Sequence, residues 1–275
     1  MKPDITSRRG ILEPGAAAQR FSLRRLLPSP DLADRVELFW IVEWDLRGHP
    51  PHRQSILPHP SVNLAVEPAF AGVYGVDTGR FDRELAGAGK VVGTKFRPGG
   101  FAGLIDDDVA TLTDRAVPLG EFFGPAGDAL ADQVRAVSGD RAATAVVERF
   151  LRERVPPSDT RLALVTRIMD LLLEDASITR VDQLAARLHL SARTLQRLFA
   201  RYVGVSPKWV LRRIRLHEAA ERIADGPHLD WADLALELGY ADQAHFINDF
   251  RAYVGRTPAE YAAACAAAGP RARAA

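Results

Sequence analysis

A short segment in the C-terminal half carries side chains that are suited to hydrogen bonding with nucleic acid. Arg193, Gln196 and Arg197 recur at the spacing of one helical face. Arginine can donate two hydrogen bonds to O6 and N7 of guanine, and glutamine can pair with N6 and N7 of adenine. The other face carries apolar or aromatic residues, namely Leu195, Leu198, Phe199 and Tyr202. The pattern predicts an amphipathic helix with one buried side and one base-reading side.

The sequence around this segment has an excess of positive charge. Between Gln183 and His217 there are eight basic residues and no Asp or Glu, although the whole chain has a formal net charge of only +1. Helix faces in water usually mix both signs, whereas an unmixed basic face suits DNA phosphates. A small helical domain with surface arginines and no DNA partner is the competing interpretation. The predicted backbone contacts are Arg187, Arg201, Lys208, Arg212, Arg213 and, further along, Arg251.

The same arrangement occurs a second time further along the chain. Segments 184–207 and 234–258 each contain a helix with Leu and Ala on one face, a tight turn, and a second helix that ends near glycine. The turns carry the polar cap residues Ser191 and Asp242, and the second copy has one more residue in its turn. Each copy predicts a helix-turn-helix, whose second helix enters the DNA major groove. Asp249 replaces an apolar leucine of the first copy, which predicts either a solvated edge or a polar contact within the domain.

The order of these motifs resembles the DNA-binding domain of AraC/XylS-type transcription regulators. The resemblance rests on Gly204-x-Ser-Pro207, Arg215-Leu-x-x-Ala219, Leu234-Ala-x-x-Leu-Gly-Tyr240, His245-Phe-x-x-x-Phe250, Gly255 and Thr257-Pro-x-x-Tyr261. It implies an all-helical domain with two helix-turn-helix units joined by a central helix over about 207–224. It also implies that double-stranded DNA is a partner, with RNA polymerase as a further partner of an activator. In the second unit, the resemblance places Gln243, His245 and Asn248 at base-facing positions.

The composition of the chain changes near the Pro156-Pro157 pair, where neither residue can donate a helical hydrogen bond. Before the pair, short apolar runs separated by Gly, Pro, Asn and Asp predict an antiparallel sheet or a small barrel. Helical periodicity over 125–155 predicts two helices that are broken near Ser138-Gly139. The predicted fold class is α+β, with a β-rich, barrel-like domain (1–118), a helical linker or dimerisation element (119–156), an all-α DNA-binding domain (157–265) and a flexible tail (266–275).

The N-terminal half resembles a β-rich domain of poorly defined function that is often fused to such regulators. The similar segments are Phe39-Trp40, Leu57–Leu64 and Gly93–Phe101. In sugar-sensing relatives, the equivalent region binds a small-molecule effector and is followed by helices that dimerise. By this analogy, the first domain senses an effector and the protein forms a homodimer. The alternative function is a DNA-bound adaptor whose first domain docks a protein partner.

Eight residues of the first domain combine aromatic walls with polar groups, as small-molecule sites do. They are Trp40, Trp44, His59, Asn63, Tyr74, Lys95, Arg97 and Phe101. Among them, Lys95 and Arg97 would favour an anionic effector. Aromatic core residues and ordinary surface charges are the competing interpretation of the same pattern.

Metal and cofactor chemistry are not expected from this sequence. The spacing of His49, His52 and His59 matches no helical metal pair, and Asp106–Asp108 is typical of a solvated turn. The segment Gly87–Lys90 lacks the flanking residues that a phosphate loop requires. Loop or strand histidines without a ligand are therefore the preferred interpretation.

Enzymatic chemistry is also not expected. The chain contains no Gly-x-Ser-x-Gly elbow and no His-Glu-x-x-His pair, and its single cysteine, Cys265, lies in an alanine-rich stretch without an evident activating partner. The sequence has 47% hydrophobic and 26% charged residues, a globular composition that excludes wholesale disorder. It has no apolar run long enough for a signal peptide or a membrane span. The expectation is a cytoplasmic protein that associates with the nucleoid when it binds DNA.

Overall fold

The described residues of the first domain include eight strands. The computed structural model describes residues 9–157, 159–226 and 230–267. A one-turn helix, α1 (Pro14–Ala17), precedes the strands β1 (Ser22–Leu26), β2 (Val36–Asp45), β3 (His52–Ile56), β4 (Asn63–Val66), β5 (Ala71–Tyr74), β6 (Phe81–Leu85), β7 (Ala88–Phe96) and β8 (Ala116–Pro118). Short 3-10 turns lie at Pro30–Leu32, Ala102–Leu104 and Val109–Leu112.

Six of these strands form one antiparallel sheet in the order β1-β2-β7-β4-β5-β8, and β3 pairs with β6 in a second sheet. Phe39 and Ile41 of β2 are fully buried on one face, because alternate residues of a strand point to the same side. Strands β1 and β8 lie at opposite edges, so the large sheet is open. The predicted β-rich architecture is confirmed, whereas the barrel-like closure is corrected to an open sheet.

A helical layer covers the buried face of the large sheet. It consists of α2 (Leu119–Phe123), α3 (Pro125–Ala136) and α4 (Asp140–Arg152). The predicted break near Ser138-Gly139 is confirmed, and Gly139 has the left-handed φ of +89° that favours glycine. Leu130 of α3 and Val147 of α4 are buried in the same core as the sheet. The apolar faces of these helices therefore pack within the chain, and a dimer through 119–156, which the resemblance implied, would have to use the polar faces.

The second domain is helical, as the sequence predicts. The described residues after Pro157 form seven helices: α5 (Thr160–Glu174), α6 (Val181–Leu188), α7 (Ala192–Tyr202), α8 (Pro207–Asp225), α9 (Trp231–Glu237), α10 (Gln243–Val254) and α11 (Pro258–Ala267). Helix α11 continues to Ala267, so the first two residues of the predicted tail are helical. The rest of that tail, 268–275, lies outside the described residues.

Two hydrophobic clusters fill the interior, and each contains residues from both domains. The first runs from the large sheet through α5–α7 to Val210 and Leu211 of α8. The second begins at Leu216 of α8, includes α9–α11, and takes in Leu12 and Leu57 of the first domain. The two domains therefore share their cores along α8. Within the described ranges, no helix is long and apolar enough to cross a membrane.

Candidate DNA-binding surface

Helix α7 is the second helix of the first predicted helix-turn-helix unit. Ser191 caps its N-terminus, where the side-chain hydroxyl accepts a hydrogen bond from the main-chain N–H of Thr194 at 3.1 Å. One face is buried through Leu195, Phe199 and Tyr202. The side chains predicted to face bases lie on the exposed side, and they are Arg193, Gln196 and Arg197. Their exposure meets the steric requirement for base contact.

Helix α10 has the same construction in the second unit. The Asp242 carboxylate caps it by accepting from the main-chain N–H of His245 at 2.7 Å. The buried face contains Phe246, Phe250 and Val254. The exposed face contains the predicted base-facing residues Gln243, His245 and Asn248. The two units thus each present a capped helix with one polar face in water.

Helix α8 connects the two units and fixes the second one. Its N-cap, Ser206, accepts from the main-chain N–H of Trp209 at 3.2 Å, and Pro207 occupies the first turn. Arg215 Nη1 donates to the carbonyl of Gly239 at 3.1 Å, and its guanidinium lies 4.8 Å from the centre of the Tyr240 ring. The turn between α9 and α10 is therefore anchored to the helix that carries the first unit.

Comparison with known proteins matches one segment in each half of the chain. Residues 184–264 match the model of a helix-turn-helix domain, and residues 24–118 match a domain of unknown function (DUF6597). The first match spans α7, α8, α9 and α10, which are the elements of the surface described above. The chain carries an AraC-type helix-turn-helix domain. The resemblance that the motifs predicted is thereby confirmed.

Three curated proteins that match part of this chain are named as regulators. An HTH-type transcriptional regulator of Haemophilus influenzae is 31% identical over 98 residues, which is 36% of this chain and 33% of that protein. The Msm operon regulatory protein of Streptococcus mutans is 24% identical over 42% of each chain. The ornithine utilization regulator of Pseudomonas aeruginosa is 31% identical over 38% of this chain and 30% of that protein. The chain thus spans about a third to two-fifths of the curated relatives it matches.

Solved structures of ToxT from Vibrio cholerae are similar to the chain at low identity. One of them, from strain O395, has a TM-score of 0.40 at 9% sequence identity and covers 90% of this chain and 99% of that one. A second, solved at 1.65 Å resolution, has a TM-score of 0.38 at 12% identity and covers 89% and 98%.

The six predicted phosphate contacts of the AraC-type domain divide into two groups. Lys208 and Arg251 are exposed. Arg187 is also largely exposed, and its guanidinium forms an ion pair with Asp175 at 2.9 Å. The remaining three arginines make contacts within the protein, and they are Arg201, Arg212 and Arg213. In this conformation, the basic sequence window does not form one continuous exposed surface.

Arg213 is held between the two domains. It is only 1% exposed, and its Nη2 donates to the carbonyls of Thr78 at 2.7 Å and Gly79 at 3.2 Å. Its guanidinium lies over the rings of Trp209 and Tyr253, at 4.4 and 5.0 Å from their centres. Burial lowers the pKa of Arg213 to about 10. The structure therefore places this residue away from the surface where a phosphate contact was predicted.

Arg201 and Arg212 also bind protein groups. Arg201, at the end of α7, donates to the main-chain carbonyls of Ile105 and Asp107 in the first domain. Arg212 donates to the Tyr253 hydroxyl at 2.9 Å and forms an ion pair with Asp249 at 3.2 Å. The Asp249 side chain is 13% exposed. Of the two predictions for this aspartate, the polar contact within the domain is confirmed.

Five of the eight residues predicted to line an effector site share one face of the large sheet. Asn63 pairs with both Tyr74 and Lys95 in the strand register, so these three lie on the same side. Lys95 also pairs with Leu38 of β2, which places Trp40 and Trp44 on that side because strand faces alternate. The indole N–H of Trp40 donates to Asn63 Oδ1 at 3.2 Å.

The other three predicted residues lie elsewhere. Phe101 is 1% exposed in the core beneath the opposite face, where it packs against Phe96 and Phe122. Arg97 donates to the carbonyl of Ala33 at 2.7 Å and borders a cleft of about 840 Å³ between the first domain and helices α5 and α6. His59 stacks on His217 of α8. The eight residues therefore do not line one common site.

The contact of α8 with the first domain was not recognised from the sequence. Trp209, Arg213 and His217 are four positions apart, so they form one stripe along the helix. The Trp209 indole donates to the carbonyl of Thr78 at 3.2 Å, and a His217 ring nitrogen lies 3.3 Å from the carbonyl of Pro58. The stripe was a detectable signal, because aromatic and potentially charged residues at this spacing indicate a helix face with a partner.

Proposed function

We propose that this protein is a sequence-specific DNA-binding transcription regulator whose first domain controls its activity. The observation that carries the proposal is the pair of capped recognition helices, each with a buried apolar face and an exposed hydrogen-bonding face, in an AraC-type domain. Curated relatives that share this domain are transcription regulators.

The recognition helices are proposed to read bases through six exposed residues. On α7, Arg193 and Arg197 supply donors for guanine, and Gln196 supplies a donor and an acceptor for adenine. On α10, the readers are Gln243, His245 and Asn248, which carry less positive charge. Phosphate contacts come from the exposed cations flanking these helices, Lys208, Arg251 and Arg187. The first unit therefore provides most of the electrostatic attraction, and the second adds hydrogen bonds.

The first domain is proposed to bind a small-molecule effector on the sheet face that carries Trp40, Asn63, Tyr74 and Lys95. Lys95 forms an ion pair with Glu37 at 2.9 Å and its side chain is only 16% exposed. An anionic effector would compete with that carboxylate for the ammonium group. A homodimer and a contact with RNA polymerase belong to the same proposal, because they would couple effector binding to transcription.

Binding of the full-length chain to the promoter region of its own gene tests the proposal. The full chain is required because the two domains share both hydrophobic clusters. Its affinity is measured against a shuffled DNA of equal composition over a salt series, since phosphate contacts make affinity salt-dependent. The regulator requires a preference of about 10³-fold or more for one sequence. Equal affinity for both DNAs at every salt concentration would refute sequence-specific binding.

Two arginine variants separate base reading from general charge loss. Arg197→Ala is expected to weaken specific binding by about 1–3 kcal/mol and to relax the preference at one base pair. Arg47→Ala is the matched control, because Arg47 is 75% exposed in the first domain and pairs with Asp45. The control should bind like the wild type. A uniform loss on all sequences for Arg197→Ala would contradict its role as a base reader.

A further inference from the structure

Two histidines stack on each other where the first domain meets α8. The imidazoles of His59 and His217 are parallel within 18°, with centres 4.2 Å apart. A ring nitrogen, Nε2, lies 3.0 Å from the carbonyl of Arg9 in His59 and 3.3 Å from the carbonyl of Pro58 in His217. His217 is 3% exposed, and its Nδ1 is buried without a hydrogen-bond partner among the described residues. The pair is thus part of the contact between the domains.

The N-terminal segment covers both rings closely. A Cβ atom added to Gly10 would lie 3.0 Å from His59 Nε2 and 3.2 Å from His217 Cε1. Gly10 has a φ of +91°, which an L side chain rarely adopts. No room remains between this segment and the rings for a carboxylate side chain to approach from that side.

The charged groups that act most strongly on the two rings are positive. They are Arg9 from the N-terminal segment, Lys95 from β7 and Arg213 from α8. The neighbouring carboxylates are engaged with these cations: Glu218 and Glu221 form ion pairs with Arg9, and Glu37 does so with Lys95. Asp77 is the acid that acts on Arg213. A protonated His59 would therefore lie near Arg9, Lys95 and the second imidazole, and a protonated His217 would lie near Arg9, Lys95 and Arg213 as well as the ring of His59.

We propose that the stacked pair His59–His217 makes the docking of the first domain on α8 sensitive to pH. The first domain stays docked on α8 while both imidazoles are neutral, and it separates from α8 when they take up protons. This gives the protein a proton-controlled contact between its two domains, separate from any effector site on the sheet.

The direction of the effect follows from proton linkage. Burial holds the pKa of both histidines well below the usual value of 6.5, and the nearby cations act in the same direction. The histidines of the open form titrate near that usual value, so docking is at full strength above about pH 6.5 and weakens as the pH falls below it. Each histidine that takes up a proton lowers the equilibrium constant for docking by about tenfold per pH unit. The two histidines together lower it by up to about 100-fold per pH unit.

Opening would also change the DNA-binding domain, and this step rests on the proposed function. Arg213 would leave the carbonyls of Thr78 and Gly79, and Arg201 would leave those of Ile105 and Asp107. Both guanidinium groups would then be available to phosphates. DNA affinity is therefore expected to rise on acidification more than in a chain that lacks the pair.

Hydrogen exchange of the full chain tests the switch without DNA. The exchange of α8 amides is measured from pH 7.5 to 5.5 and corrected for the intrinsic pH dependence of exchange. Wild type should show at least tenfold more frequent opening of α8 per pH unit below about 6.5. The double variant His59→Gln, His217→Gln should lose this dependence, whereas His49→Gln, a change at an exposed histidine, should retain it.

Two results would overturn the proposal. One is opening of wild-type α8 that does not change with pH, and the other is a double variant with the wild-type dependence. If the double variant does not fold, the wild type decides the matter alone through NMR titration of His59 and His217. The two rings must then take up their protons at the pH where α8 opens, and rings that titrate near 6.5 while α8 stays protected refute the switch.

A DNA-binding arm separates this proposal from the regulator function. Affinity for the promoter DNA is compared at pH 7.5 and 5.5 at one salt concentration, in wild type and the double variant. A chain whose α8 opens on acidification but which prefers no DNA sequence refutes the regulator and supports the switch. A chain that prefers one sequence while α8 stays closed supports the regulator and refutes the switch.

Discussion

Gly93→Ala is expected to displace Trp40 from the sheet face that carries the candidate effector residues. Gly93 lies opposite Trp40 in the β2–β7 register, and the indole ring lies over it. A Cβ atom at position 93 would be 2.0 Å from Trp40 Cε2 and 2.2 Å from Cζ2. Real Cβ atoms do not approach other atoms so closely, so the ring must move by more than 1 Å. That movement breaks its hydrogen bond to Asn63, which is 3.2 Å long.

Three contributions set the expected loss of stability. Overpacking of a well-packed site costs about 1–3 kcal/mol. Loss of the Trp40–Asn63 hydrogen bond adds about 0.5–1.5 kcal/mol. Replacing glycine by alanine restricts the unfolded chain, which offsets about 0.4–1 kcal/mol. The net decrease in the free energy of unfolding is therefore about 0.5–4 kcal/mol.

Urea unfolding followed by circular dichroism measures this change, and tryptophan fluorescence of the folded variant reports the new environment of Trp40. The matched control is Gly79→Ala in the same domain, because a Cβ atom at Gly79 would meet no atom within 4 Å. The control should unfold within about 0.5 kcal/mol of wild type. A Gly93→Ala variant with wild-type stability and unchanged fluorescence would show that the indole does not lie over the strand as described.

Four further predictions concern two ion pairs, a helix cap and an exposed lysine. Asp140→Asn should lower the free energy of unfolding by about 1 kcal/mol at pH 7, because Arg24 and Lys90 hold the pKa of this carboxyl at about 2 against the opposing effect of burial, and solvent screens part of this attraction. The difference from wild type, measured by denaturant unfolding, should persist above about pH 4 and disappear as the pH falls through 2; a constant difference down to pH 2 would refute the ionic origin. Asp242→Ala removes the cap of α10 and should cost about 1 kcal/mol in thermal unfolding, with weaker binding to the promoter DNA; unchanged stability would contradict the capping role. Arg212→Ala should destabilise the fold by about 1–3 kcal/mol, since it removes the ion pair with Asp249, whose side chain is 13% exposed, while the salt slope of DNA binding stays the same. Lys208→Ala should leave the stability of the fold unchanged and reduce the salt slope of DNA binding by about 1. Equal salt slopes for the two variants would refute the distinction between internal and exposed cations.

Local signals made the AraC-type domain predictable. Proline in the first turn of α8, with Ser206 before it, marks a helix start in any context, and so do Ser191 and Asp242 before their recognition helices. The spacing of apolar residues then identified the buried face of α7. These signals act within a few residues along the chain, so they can be read without knowledge of the fold.

The first domain was predictable only in outline. Alternating apolar residues and turn residues correctly indicated strands, but the order of those strands depends on pairings between distant segments. Whether β1 and β8 meet to close a barrel is decided by sheet twist and by the helices that cover one face, and the sequence pattern is the same in both cases. The shared face of Trp40, Asn63, Tyr74 and Lys95 could be recognised only after the register was known.

The concentration of basic residues in the C-terminal half is visible in the sequence alone, whereas the contacts of each one depend on the folded chain. Arg193 and Arg213 are the same residue type in the same basic window, yet one is exposed and the other is 1% exposed. The difference arises because the carbonyls of Thr78 and Gly79, more than 130 positions earlier in the chain, are brought against α8. A guanidinium group binds whichever oxygen atoms the fold places within its reach, and that placement is a property of the whole chain.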